Sequence, residues 1–165
     1  MKILIAEDDV ANAKFLSKYL SKFGDVVITP DGIAAVDEFV NALEKGELFE
    51  LVCLDIMMPK MDGLSATMKI RESKNIPIII LSAKTEESDK ILGLSMGADD
   101  YVSKPFRPDE LVARVKSQLR RYMQFGGMNA PKSNKEQIIN GGLILDMKGK
   151  RMLVDGEAVK LTATE

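Results

Sequence analysis

Five short apolar runs alternate with segments of helical periodicity along the first 122 residues, and this alternation constrains the fold more than any other feature. The runs are rich in isoleucine, valine and leucine without polar alternation, which is typical of parallel strands buried on both faces. We therefore predict an α/β fold with a doubly wound five-stranded parallel sheet. Of the few strand orders open to such a sheet, we expect the flavodoxin-like order 2-1-3-4-5. The predicted strands span residues 3–6, 26–28, 51–54, 78–81 and 101–102.

The segments between and after these strands place apolar residues on one helical face. In the first of them, Phe15, Leu16, Tyr19 and Leu20 recur at the spacing of an amphipathic helix. Right-handed crossovers between parallel strands then limit the topology to a few orders, of which the flavodoxin-like order places the first and third strands side by side. The predicted helices span residues 10–23, 34–43, 64–71, 86–96 and 108–122.

Charged residues follow three of the predicted strands at the point where each strand ends. Glu7 and Asp8 come after the first strand, Asp55 after the third and Lys104 after the fifth. Ligands of open parallel sheets bind at the carboxyl ends of the strands, near the switch point. The sequence therefore predicts a functional site at this edge, although each acid could instead be a helix cap, a role that we expect for Asp9.

The composition excludes several kinds of chemistry. The chain has no histidine, so the usual general base and the usual soft metal ligand are missing. Its one cysteine, Cys53, lies within an apolar strand and is interpreted as a core thiol. Any reaction must therefore depend on carboxylates, hydroxyls and lysine.

The charge and hydropathy patterns bear on partners and location. A formal net charge of -2 gives no field that would attract the whole chain to nucleic acid. No apolar stretch approaches the ~20 residues that span a bilayer, and the N-terminus has no signal-like cleavage site. We expect a soluble cytoplasmic protein without a membrane partner.

The composition changes after residue 122. Residues 123–140 carry few apolar side chains and predict a flexible linker. Residues 141–165 contain short apolar segments separated by turn residues, of which Asp155-Gly156 is the stronger hairpin signal. These segments predict antiparallel strands at residues 143–145, 151–154 and 158–161.

The C-terminal segment ends in a helix-start signal. Thr162 and Glu165 have the spacing of a capping box, so a helix is expected to begin where the chain stops. About 25 residues cannot bury a core alone. We expect either that the chain is a fragment of a longer protein or that this segment packs on the first domain.

The charged residues and their neighbours resemble the receiver domain of two-component response regulators. The segment from Gly97 to Phe106 and the C-terminal strands resemble the OmpR/PhoB transcription-factor subfamily in particular. The resemblance implies a receiver domain at 1–122, a linker at 123–140 and the first strands of a truncated winged-helix DNA-binding domain at 141–165. The matching residues are Glu7, Asp8, Asp55, Met58, Pro59, Asp62, Gly63, Ser82, Ala83, Tyr101, Lys104 and Pro105.

The resemblance implies that Asp55 accepts a phosphoryl group from a histidine kinase. A carboxylate is a poor nucleophile toward another anion, so it needs a divalent cation and a fixed positive charge. Mg²⁺ suits such a site because it prefers oxygen ligands and retains several waters. By the resemblance, Asp8, Asp55 and the backbone carbonyl of Met57 bind Mg²⁺ directly, Glu7 acts through water, and Lys104 contacts a phosphoryl oxygen.

The resemblance also implies how the signal leaves the site. The hydroxyl of Ser82 is expected to move toward the phosphoryl group and Tyr101 to rotate into the space that it leaves, while a cis bond before Pro105 directs the Lys104 amine inward. The fourth helix, fifth strand and fifth helix then form a homodimer face. Its expected charged residues are Lys90, Asp99, Asp100, Glu110, Arg114 and Arg121.

Alternatives remain open from the sequence alone. The charged face could be merely solvated, and Ser95 departs from the acid that the subfamily usually has there. A haloacid-dehalogenase-type hydrolase also forms an aspartyl phosphate with Mg²⁺, but Met57 occupies the position of its second acid. A flavin or nucleotide module would need a glycine-rich loop after the first strand, where acids stand instead. The receiver interpretation implies a protein that is not an enzyme and that binds DNA only through the missing C-terminal region. A stand-alone receiver that acts through protein contacts is a further alternative.

Overall fold

The computed structural model describes residues 1–84, 86–126, 137–140, 143–146, 151–154 and 157–159. The chain divides into two compact units, Met1–Gly126 and Gly127–Glu165. No helix in the described ranges has the length and apolar character that crossing a lipid bilayer requires.

The first unit is built on a five-stranded parallel sheet. Its strand order is β2-β1-β3-β4-β5, which confirms the predicted flavodoxin-like topology. Each strand lies within two residues of its predicted ends. The strands are β1 (Lys2–Ala6), β2 (Asp25–Thr29), β3 (Leu51–Asp55), β4 (Ile78–Ser82) and β5 (Asp100–Ser103).

Five helices connect and follow these strands. The side chains of Asp9, Asp31 and Asp62 cap the first three, each accepting a hydrogen bond from the N–H three residues later at 2.8, 2.9 and 2.7 Å. The predicted cap at Asp9 is thereby confirmed. The helices are α1 (Val10–Leu20), α2 (Gly32–Glu44), α3 (Gly63–Ser73), α4 (Glu87–Ser95) and α5 (Pro108–Arg121), and a π-helical turn, Tyr122–Gly126, follows α5.

The helices cover both faces of the sheet, as the apolar strands require. Alternate strand residues point to opposite faces: Ile3 and Ile5 pack with α1 and α5, whereas Leu4 and Ala6 pack with α2 and α3. Cys53 lies in the first of these layers, fully buried, and burial raises its thiol pKa to about 12. It is a core residue.

The strand register brings the strand ends to one edge. Ala6 pairs with Leu54, Asp55 with Leu81, and Ser82 with Ser103. The residues that follow β1 and β3 therefore leave the sheet side by side, and those that follow β5 leave the same edge on the far side of β4. This placement positions the acids and the lysine of the candidate site.

The second unit contains a four-stranded antiparallel sheet of order β6-β7-β8-β9. Within the linker predicted at 123–140, Ile138 and Ile139 pair with Leu145 and Ile144 in a strand. The division of the chain into receiver, linker and winged-helix segment stays a prediction. Residues 127–136 and the predicted capping box at 162–165 lie outside the described residues. The strands are β6 (Gln137–Asn140), β7 (Leu143–Asp146), β8 (Arg151–Val154) and β9 (Glu157–Val159).

Candidate functional site

Lys104 joins two buried carboxylates at the carboxyl edge of the parallel sheet. Its Nζ donates to Glu7 Oε2 at 2.7 Å and to Asp55 Oδ2 at 2.8 Å. The side chains of Glu7 and Asp55 are 1% and 9% exposed. The structure therefore brings together the residues that the sequence placed at three separate strand ends.

A third acid completes the group. Ligand oxygens of Glu7, Asp8 and Asp55 all lie within 4.8 Å of one another, with Asp8 exposed and the other two buried. Three carboxylates this close repel one another unless a cation lies among them. Their hard oxygen donors suit Mg²⁺ or a similar divalent ion, so the donor set fits the metal that the sequence predicted.

Backbone groups fix the buried carboxylates. The Met57 N–H donates to Asp55 Oδ1 at 3.2 Å, and the Asp9 N–H donates to Glu7 Oε1 at 3.3 Å. The loop after β3 thus places the Met57 peptide beside Asp55. Each buried acid is held by both an amine and an amide hydrogen.

Burial and pairing have opposite effects on the charged groups of the site. Burial raises the pKa of Glu7, against the hydrogen bond from Lys104, which lowers it. For Lys104, burial lowers the pKa, but the hydrogen bonds to Asp55 and Glu7 outweigh it and the net direction is upward. The lysine is therefore a permanent cation at physiological pH.

The predicted switch residues share one neighbour. The Lys84 N–H donates to Ser82 Oγ at 3.1 Å, and the Tyr101 hydroxyl donates to the Lys84 carbonyl at 3.0 Å. Ser82 is buried, and Tyr101 is 7% exposed, so its ring occupies the inward position. The two side chains are linked through the loop that leads into α4.

Gly93 makes room for that ring. A Cβ built on Gly93 would lie 2.9 Å from Tyr101 Cδ2 and 3.3 Å from Ile80 Cδ1. Gly93 is the buried residue of α4. No sequence pattern indicates this role, because a lone glycine in a helix predicts nothing about its neighbours.

A groove of about 390 Å³ opens beside the lysine. Glu7 and Lys104 line one part of it, and Phe15, Leu16 and Phe106 line another. The peptide bond before Pro105, for which the resemblance implies a cis geometry, is cis. The groove therefore borders the Lys104 amine.

The charged residues expected on the dimer face are largely paired within the chain. Arg114 contacts Asp100 at 2.9 Å and Glu110 at 3.0 Å, and Asp99 pairs with Arg71 on α3. The two remaining residues of the expected set, Lys90 and Arg121, lie on α4 and at the end of α5. Dimer formation through this face stays a prediction.

Two further sets of contacts were not predicted. In the loop after β3, Lys60 pairs with buried Asp31 at 2.7 Å. At the opposite edge of the sheet, before β4 and β5, Arg71 donates to the carbonyls of Ile76 and Gly97. Asp31 and Gly97 are distant from their partners along the chain, so no local pattern could have shown these two pairings.

A profile of the response regulator receiver domain family matches residues 3–116 of this chain. The chain belongs to that family. This membership also decides between the alternatives left open by the sequence, because a haloacid-dehalogenase-type hydrolase or a flavin module would belong to a different family. The flavodoxin-like topology agrees with this membership.

Relatives of this receiver domain are transcriptional regulators of the OmpR/PhoB type. The regulatory protein VanR of Enterococcus faecium is 40% identical over 164 residues, which cover 99% of this chain and 68% of the relative. The crystal structure of the response regulator DrrB, an OmpR/PhoB homologue from Thermotoga maritima, aligns with a TM-score of 0.62 and 30% identity over 98% of this chain and 66% of DrrB. The chain thus spans about two thirds of the length of these proteins.

A third solved structure bears on the site. The CheX-CheY-BeF3-Mg²⁺ complex from Borrelia burgdorferi aligns with a TM-score of 0.64 and 32% identity, covering 71% of this chain and 87% of that one. That complex contains a magnesium ion and a beryllium fluoride group. Phosphorylation and magnesium binding are typical of receiver domains.

Proposed function

We propose that this receiver domain accepts a phosphoryl group on Asp55 from a histidine kinase and that the modification changes the surface around α4. The observation that carries the proposal is the convergence of Glu7, Asp8, Asp55 and Lys104 at one edge of the sheet. The protein is a phosphorylated switch and does not turn over a substrate as an enzyme.

Asp55 is the nucleophile. One of its carboxylate oxygens forms a bond to phosphorus while the bond from phosphorus to the donor nitrogen breaks, and that nitrogen keeps the electron pair. Lys104, 2.8 Å from Asp55 Oδ2, supplies fixed positive charge for the transferred oxygens. At ~4 Å and an effective dielectric of ~20, an amine and a phosphoryl oxygen attract by roughly 4 kcal/mol before desolvation.

The acids supply a metal site beside the nucleophile. Asp8, Asp55 and the backbone carbonyl of Met57 would hold Mg²⁺ directly, and Glu7 would act through water. When bound, Mg²⁺ neutralises negative charge on the transferred oxygens. Lys104 alone balances one of the three carboxylates, so the cluster keeps an excess of negative charge that favours a divalent cation.

Ser82 and Tyr101 form the switch. The Ser82 oxygen accepts a hydrogen bond from Lys84, so its own proton is available to a phosphoryl oxygen on Asp55. A movement of Ser82 would act on the Lys84 loop, to which the Tyr101 hydroxyl is also bonded. The signal would then reach α4 through the loop and the ring together.

The output is a homodimer through α4, β5 and α5. Opposite charges on this face would set the register of the two copies more than their affinity. We further propose that the segment after the receiver begins a winged-helix domain, and that DNA binding in the cytoplasm belongs to the remainder of that domain. The support is the OmpR/PhoB type of the relatives.

The test is labelling with a small phosphodonor, acetyl phosphate, in the presence of Mg²⁺. Intact-mass spectra should show one added phosphoryl group on the wild type and none on Asp55→Asn, and size-exclusion chromatography should show a shift toward dimer only in the labelled sample. Asp62→Asn is a matched control, because Asp62 is an exposed helix cap and asparagine caps equally well.

Two results would contradict the proposal. Labelling that persists in Asp55→Asn places the acceptor elsewhere. Continuous hydrolysis of many donor molecules by each chain would indicate an enzyme instead of a switch.

A further inference from the structure

Lys60 has an unusual backbone conformation in the loop between β3 and α3. Its φ is +63°, and among the described residues it is the non-glycine residue with positive φ. Side chains with a Cβ disfavour this left-handed region, so another interaction must stabilise the turn here. The loop is the one that begins directly after Asp55 and carries Met57.

An ion pair with a buried partner provides that interaction. Lys60 Nζ lies 2.7 Å from Oδ2 of Asp31, whose side chain is 2% exposed. The other oxygen of Asp31 accepts the Ala34 N–H at 2.9 Å and caps α2. The carboxylate is therefore fixed by the helix, and it fixes the lysine.

A backbone contact crosses between the same two segments. The Gly32 N–H donates to the Met61 carbonyl at 3.1 Å, and a Cβ on Gly32 would collide with that oxygen. Within the loop, the Gly63 N–H donates to the Ile56 carbonyl at 3.1 Å. The loop is thus closed on itself and attached to the start of α2.

We propose that Lys60 and Asp31 are a positioning pair that holds the loop after β3 in the geometry that the phosphorylation site requires. The inference rests on the proposed function, since it concerns the same site. Neither residue touches the reacting groups. Their effect passes through the backbone of the loop to Met57, whose N–H holds Asp55 Oδ1 at 3.2 Å and whose carbonyl is a proposed metal ligand.

Four variants separate the ion pair from other effects of Lys60. Lys60→Met and Asp31→Asn each remove the pair, and asparagine keeps the helix cap. Lys60→Gly removes the amine but makes the left-handed conformation easy. Lys60→Arg keeps a cation that can reach Asp31.

The first measurement is Mg²⁺ affinity by isothermal titration, together with the rate of labelling by acetyl phosphate. We expect Lys60→Met and Asp31→Asn to weaken Mg²⁺ binding by about 10-fold, the size typical of losing a residue that orients a ligand. The double variant should be no weaker than either single one, because both remove the same interaction. Lys60→Arg should remain close to the wild type.

The second measurement uses the metal-free protein. Amide hydrogen exchange at Gly32 and Gly63, whose N–H groups fasten the loop, should accelerate in Lys60→Met and Asp31→Asn while exchange in β1 and β4 stays unchanged. This readout does not depend on phosphorylation. If the wild type fails to take up a phosphoryl group, the proposed function is wrong, yet the exchange data still test the positioning pair.

Three outcomes would overturn the inference. Unchanged Mg²⁺ affinity in both single variants shows that the loop holds without the pair. A loss in Lys60→Met with none in Asp31→Asn shows that the lysine acts through its charge on the site. Wild-type affinity in Lys60→Gly shows that the backbone conformation alone positions the loop.

Discussion

The edge of the sheet around Asp55 and the face formed by α4, β5 and α5 both carry charged clusters, but the charged side chains differ in their exposure to solvent. At the edge, the side chains of Glu7 and Lys104 are 1% and 17% exposed. On the face, those of Arg114 and Glu110 are 38% and 45% exposed. Charges at the edge are therefore held in a fixed, poorly solvated geometry, whereas those on the face can exchange partners at little cost.

The burial of apolar residues also differs between the two regions. The strands that end at the site are buried except at Lys2, Asp100 and Ser103, whereas α4 buries Gly93 and exposes Ile91, Leu92 and Leu94. A helix with few buried apolar contacts belongs to the less stable part of a fold, from which moving elements are drawn. The comparison indicates a charged edge held in a fixed geometry and a helix α4 with few buried apolar contacts.

The largest effect should come from removing the cation of the site. Lys104→Met leaves Glu7 and Asp55 buried without their shared partner, and we expect it to lower the free energy of unfolding of the metal-free protein by about 3–5 kcal/mol. Urea denaturation with and without Mg²⁺ measures this, and Mg²⁺ should restore part of the loss. Lys14→Met, at an exposed position of α1, is the control. Equal losses in both variants would show that the edge is no more constrained than an ordinary surface.

The next effect concerns the contact between α4 and the switch ring. Gly93→Ala places a methyl group against Tyr101, and we expect it to cost about 1–3 kcal/mol and to drive the ring outward. In the Tyr101→Ala background the same change should become stabilising by up to about 1 kcal/mol, because alanine is the better helix former. Thermal unfolding of the four proteins in this cycle tests the reversal of sign, and Ser95→Ala controls for an alanine elsewhere on α4. If Gly93→Ala costs the same in the wild-type and Tyr101→Ala backgrounds, Gly93 on α4 does not act through the Tyr101 ring.

A smaller effect should appear in the pH dependence, because burial raises the pKa of Glu7 while Lys104 opposes the rise. A carboxyl whose folded pKa lies above its unfolded value stabilises the protein most below the unfolded pKa. Its contribution declines as pH rises from the ordinary value of 4.5 through the folded pKa. The stability of metal-free Glu7→Gln relative to wild type should therefore increase with pH over that window. If the stability difference between Glu7→Gln and wild type does not change from acid to neutral pH, Lys104 fully offsets the effect of burial on the pKa of Glu7.

The smallest effect is expected on the dimer face. Asp100→Asn removes the ion pair with Arg114 but keeps an oxygen for the Tyr101 N–H. We expect a loss of less than about 1 kcal/mol in the monomer. High salt should reduce this loss further, whereas the cost of Lys104→Met should change little with salt. Similar salt sensitivity at both positions would remove the distinction between the two regions.

Much of the fold could be predicted because the apolar pattern alone determines it. Runs of isoleucine, valine and leucine must be buried, and their alternation with helices leaves few topologies. The errors lie at element ends. Helix α1 ends at Leu20, whereas the predicted end is Phe23. Phe23 packs against the core from the turn after the helix, so its apolar side chain fits the helical pattern although its backbone is not helical. Strand β3 includes Asp55, which still pairs with Leu81.

The candidate site was predictable for a related reason. Parallel strands end at one edge, so charged residues that follow β1, β3 and β5 must be neighbours whatever their separation along the chain. The individual pairings could not be predicted. The sequence did not show that Lys104 joins Glu7 and Asp55 within the site, which lie 97 and 49 residues away, nor that Asp99 pairs with Arg71 at the opposite edge of the sheet.

The sequence by itself determined the layers and reduced the strand order to a few possibilities, in which the acids gather at the carboxyl edge, because hydrophobic periodicity and strand direction are local properties summed along the chain. Only the tertiary structure decided which charges pair, that Tyr101 occupies the space left by Gly93, and that Lys60 reaches the buried carboxylate of Asp31. Those contacts depend on distances of a few ångströms between residues far apart in the chain, and packing alone sets such distances.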